Sequence, residues 1–194
     1  MKVSRTAFFL IAIGCSLSSA RVTHAQNVKA SSPPKLTAEL EAARAGLERF
    51  QDPVVAVREG YLSTQVCTGY ADGGMGVHFI NMSTIGPNVD PKVPQVLIYE
   101  PQGDALKLVA AEWFVPVAVA KDKPSVFGQP FDGPMDGHEP LMPKDLHHYD
   151  LHVWLWKENP SGVFNSVNPD LKCPATSPYT LTSKEKASAH LHKH

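Results

Sequence analysis

Apolar positions along the chain change period after about the first third. Leu36, Leu40, Ala43, Leu47 and Phe50 recur at helical spacing and predict one buried helical stripe. Thr37 suits the N-cap, Glu39 and Glu41 the positive end of the dipole, and Arg44 and Arg49 the other end. Asp52-Pro53 restarts a second short helix through Val54 and Val57, and Gly60 stops it. Beyond that point the period is two. Strands are predicted over Met75–Ile80, Val96–Glu100, Leu106–Val115 and Tyr149–Trp156. In the last of these, Leu151, Val153 and Leu155 form one row; Asp150, His152, Trp154 and Trp156 form the other. Both rows carry large apolar groups, which predicts an inner strand covered on both faces.

Between these elements lie turn signals. Tyr61 to Gly74 reads as irregular and ends in the turn Asp72-Gly73-Gly74. Asn81 to Pro94 reads as a loop, and Pro101-Gln102-Gly103-Asp104 as a hairpin connection. Lys121 to His148 holds Pro124, Pro130, Pro134, Pro140 and Pro143 with Gly128, Gly133 and Gly137, and reads as one long loop. A stretch of that length inside a domain is usually functional or well packed. Asn159-Pro160-Ser161-Gly162 and Asn168-Pro169 build a further turn-rich segment that ends at Cys173. The expected class is α+β: N-terminal helices packed on an antiparallel β-sheet, with the long Pro/Gly loop covering one end. A small barrel is the second arrangement.

The ends refine that picture. Residues 1–25 have a short basic start (Lys2, Arg5), an apolar core from Ala7 to Gly14 and small residues beyond it, which is the pattern of a secretory signal peptide. Lipoprotein processing at Cys15 is the alternative. Residues 26–35 read as a flexible leader, 36–173 as a single domain and 174–194 as a polar tail. No other run is long enough to span a bilayer. Periplasmic or secreted location follows, and Cys67 and Cys173 are then expected to form one disulfide. It would close a loop of about a hundred residues, worth on the order of 4 kcal/mol. Eighteen Lys and Arg against nineteen Asp and Glu give a charge of −1 with no dense basic patch, which argues against a nucleic-acid partner.

Taken together, Met75-Gly76-Val77-His78, Leu97-Ile98-Tyr99-Glu100-Pro101, Glu112, Phe127-Gly128-Gln129-Pro130-Phe131, His152-Val153-Trp154-Leu155-Trp156 and Asn159-Pro160-Ser161-Gly162 resemble an uncharacterised family of exported bacterial proteins. The resemblance runs from about Leu36 to Cys173. It implies an exported single domain and supplies no activity, cofactor or catalytic residue.

The candidate chemistry comes from polar groups set mid-strand. His78, Glu112 and His152 each interrupt a mixed or apolar row, and two imidazoles with a carboxylate suit a divalent metal such as Zn, Fe or Mn. Bound zinc would activate water for hydrolysis, whereas iron or manganese would suit oxygen or peroxide chemistry. His138, His147 and His148 are further candidates on the long loop, and Asp150 could orient an imidazole from behind. The competing reading is a structural network in which buried His and Glu satisfy each other. His190, His192 and His194 could hold metal loosely, but they read first as a solvated tail. No H-E-x-x-H or G-x-S-x-G motif is present. The sequence therefore predicts an exported small-ligand or metal-binding domain, with a metal-dependent enzyme or a structural protein as alternatives.

Overall fold

The computed structural model describes residues 35–138 and 142–175, all within the unit Ser31–His194. The expected signal peptide, Cys15, all of the leader but Lys35, and the tail beyond residue 175 with its three histidines lie outside the described residues. The architecture is α+β and mostly β: a few helices and a curled antiparallel sheet of six strands.

Helix α1 (Ala38–Leu47) begins where Thr37 accepts the Leu40 N–H, and it buries Leu40, Ala43 and Leu47 as the spacing predicts. A short 3-10 turn, Glu48–Gln51, carries Phe50 inward. Asp52 then caps α2 (Pro53–Arg58) by accepting from Val54, with Pro53 at the first helical position. Gly60, at φ +94°, releases the chain into the sheet.

The strands are β1 (Leu62–Tyr70), β2 (Gly73–Ile80), β3 (Val96–Gln102), β4 (Ala105–Pro116), a short hairpin of β5 (Ser125–Val126) and β6 (Gln129–Pro130), β7 (Asp132–Met135) and β8 (His148–Val153). The main sheet runs β1-β2-β3-β4-β8-β7, and β5-β6 forms a two-stranded sheet of its own. As expected, β8 is an inner strand, between β4 and β7.

Four expectations need correction. Residues 62–70, read as irregular, form β1. Its register slips against β2 between Ser63 and Cys67 and again between Thr68 and Gly69, so its alternation is broken. The stretch 121–148, read as one loop, contains β5, β6 and β7. Phe127 and Gly128, both at positive φ, make the tight β5–β6 turn. The strand read as Tyr149–Trp156 ends at Val153. Trp154 N–H then bonds the Val163 carbonyl and Trp156 N–H the Val109 carbonyl, so Trp154 and Trp156 do not continue the row of His152. Finally, the row Leu106, Leu108, Ala110, Glu112, Phe114 is not continuous. Ile98 pairs with Ala110 but Tyr99 pairs with Leu108, so Val109 is an extra residue and a bulge.

Pairing fixes the two faces. Val77, Tyr99, Leu97, Ala111, Trp113, Leu151 and Val153 share one face through their cross-strand partners. Leu40, Leu47 and Phe50 belong to the same buried core as these residues. Tyr99 Oη donates to the Phe50 carbonyl at 2.7 Å, and Phe50 meets Tyr61 edge-on at 5.2 Å. Each such buried Leu or Phe contributes about 2 kcal/mol. The other face carries His78, Ile98, Val96, Glu112, Phe114, His148, Asp150 and His152.

Cys67 and Cys173 form the expected disulfide, 106 residues apart in sequence. Cys67 pairs with Val77 in the ladder, so the bridge ties the end of the domain to the strand beside His78. The same region is fastened by a two-way backbone pair between Gly74 and Asn168. A Cβ on Gly73 would sit 2.4 Å from the Asn168 carbonyl oxygen, which explains the glycine there.

Candidate functional site

The sheet brings the three predicted residues together. Glu112 pairs directly with His152 across β4 and β8, and with Val96 on β3. His78 enters from β2, opposite Ile98. Glu112 Oε2 lies 3.3 Å from His152 Nε2 and 3.7 Å from His78 Nε2. The two imidazoles meet edge-on, 6.1 Å between centroids. One donor atom from each residue falls within 4.8 Å of the others. Ligands on one first-row cation at bond lengths of about 2.0–2.2 Å stand roughly 3–3.5 Å apart, so small side-chain rotations would bring the trio to a metal.

Burial dominates the electrostatics. His152 and Glu112 are buried, and His78 keeps 12% of its side chain exposed. Desolvation pushes the His78 imidazole down to about 4, against the opposing pull of the Asp150 charge and the Gly76 backbone. Burial, and then repulsion from Asp150, hold the Glu112 carboxyl well above its ordinary value. Both shifts favour uncharged groups, as a low-dielectric site demands. A cation would supply the charge that makes Glu112 ionise, and its binding would release the proton.

The trio lines an open pocket with a cavity volume of about 50 Å³. Its walls include Tyr70, Met75, Ile80, Val96 and Met142, and its polar groups are His78, Glu112, His138, Asp150 and His152 with Thr64 and Thr68. Burial pushes the Tyr70 hydroxyl up to about 12, so it stays a neutral donor.

The remaining candidates separate. His147 is more than half exposed, faces Asp136 at 3.2 Å and belongs to neither group of potential ligands among the described residues. Asp150, expected to support an imidazole from behind, instead sits in the pocket beside His148 and His138, and those three form a second group of potential ligands. Sequence reasoning named all three but did not group them. The signal was the i, i+2 spacing of His148, Asp150 and His152 along one strand. Asn81, which heads a glycosylation-like tripeptide, is buried and uses its amide to bond the Glu59 carbonyl.

Among the described residues, no helix is long and apolar enough to cross a membrane. The disulfide is consistent with an oxidising compartment. Compared with family models, curated proteins and solved structures, the chain matches none.

Proposed function

We propose that this is an exported protein that binds a divalent first-row cation through His78, Glu112 and His152, and presents that cation to a small ligand in the pocket above. The observation that carries this reading is the convergence of three donor atoms within 4.8 Å at the floor of an open pocket. Two imidazoles and one carboxylate leave coordination positions free, which suits zinc, iron or manganese. The N-terminal helices would back the sheet, as the Tyr99–Phe50 hydrogen bond supports, and the 121–148 segment would cap the pocket, where His138 already forms part of the wall. Export by the N-terminal signal supplies the oxidising compartment that the disulfide needs. The resemblance to exported bacterial proteins points the same way.

The apolar walls favour one further reading, a metal-dependent hydrolytic or oxidative enzyme whose substrate lies against Met75, Ile80 and Val96. Both readings need the cation first. The test is metal uptake by the untagged exported chain in which His190, His192 and His194 are changed to serine. After stripping with chelator, titration with Zn(II), Mn(II) or Fe(II) should give a stoichiometric site that both His78→Ala and His152→Ala abolish. Uptake that ignores those two substitutions would remove the trio from consideration.

A further inference from the structure

We propose that His138, His148 and Asp150 form a second divalent-cation site in the same pocket, so that the pocket carries two cation positions. Donor atoms of these three residues also lie within 4.8 Å of one another. His148 and Asp150 are fully or almost fully buried on β8. The decisive detail is the orientation of His148. Its Nδ1 sits 3.1 Å from the Leu146 carbonyl, and a carbonyl can only accept, so Nδ1 carries the hydrogen. In the neutral ring Nε2 is then a bare lone pair, the form that binds metal.

That Nε2 makes no hydrogen bond and lies 3.6 Å from Asp150 Oδ2. That spacing is close to the roughly 3–3.5 Å expected between two ligands on one first-row cation. The ring is locked there by stacking on Phe114, at 4.7 Å and 26°, while His138 meets its edge at 5.3 Å. His138 and Asp150 also line the pocket that holds the first trio. Asp150 and His152 are two residues apart on one strand face, a span of about 7 Å, so the two positions would be close neighbours. The pairing of two cations rests on the reading of the first trio; the second site does not.

Calorimetric titration of the same tail-substituted chain with Zn(II) tests this directly. Two equivalents are expected. His148→Gln and His138→Ala should each remove one, and His152→Ala the other. His138 lies outside the strands, so its substitution reports on the site even if the His148 variant folds poorly. One equivalent lost in His152→Ala but kept in both His148→Gln and His138→Ala overturns the second site and leaves the first. One equivalent lost in the His138 and His148 variants but kept in His152→Ala supports the second site and overturns the first. No uptake at all overturns both.

Discussion

The most exacting consequence of the site's burial concerns His78. In the unfolded chain its imidazole takes up a proton as pH falls through its ordinary value near 6.5. In the folded protein it does so only at about 4. Between those values the unfolded chain binds more protons, so stability present above 6.5 is lost as pH falls toward 4. The gap corresponds to about 3 kcal/mol. The 12% of the side chain that faces the pocket makes this an upper bound. Glu112 acts in the opposite sense: its raised carboxyl contributes stability below the ordinary carboxylate range that is lost as pH rises. Comparison with His78→Gln keeps Glu112 in both proteins and isolates the imidazole. Urea unfolding of metal-free protein at about pH 7.5 and about pH 4 should show the wild type losing up to about 3 kcal/mol more than the variant. Equal losses, or an imidazole proton resonance that titrates near the ordinary value, would refute the desolvation argument.

Reduction of the Cys67–Cys173 bridge, which spans 106 residues, should cost about 4–5 kcal/mol in the chain-entropy account and lower the melting temperature by on the order of 15 °C; scanning calorimetry with and without reductant measures it. Gly76→Ala should destabilise by about 2 kcal/mol or more, because φ is +105° and the new Cβ would lie 2.7 Å from the Tyr99 carbonyl oxygen; chemical denaturation reads the loss. Tyr99→Phe removes the bond to the Phe50 carbonyl and should cost about 1–3 kcal/mol, with no change in Zn(II) uptake, since Tyr99 faces away from the pocket.

The helices were legible because their signals are local: Thr37, Asp52, Pro53 and Gly60 act on neighbours a few residues away. Strands β3, β4 and β8 were legible because Val96–Glu100, Leu106–Val115 and Tyr149–Val153 alternate over apolar rows. Strand β1 was not, because Ser63, Thr64, Gln65 and Thr68 carry little apolar signal and the bulges break their period. Strand β7 hides behind Gly133-Pro134, which reads as a turn. His78, Glu112 and His152 could be named as unusual in their rows. Their convergence depends on cross-strand register, which no single strand encodes. The grouping of His148 with Asp150 and His138 depends further on where the loop returns, and on the Leu146 carbonyl that orients the ring.

The bulge at Val109 acts as a phase shift in the wiring of β4. On one side of it Leu108 stands with Tyr99 on the apolar face; on the other, Ala110 and Glu112 stand on the pocket face. Removing Val109 would leave Leu108 opposite Tyr99 and Ala110 opposite Ile98, so the ladder would close with both halves of β4 on the faces they now hold. The odd residue is slack in the strand, taken up where nothing is asked to bind. A one-residue deletion at Val109 would lose the packing of a buried side chain and still keep Glu112 facing the pocket.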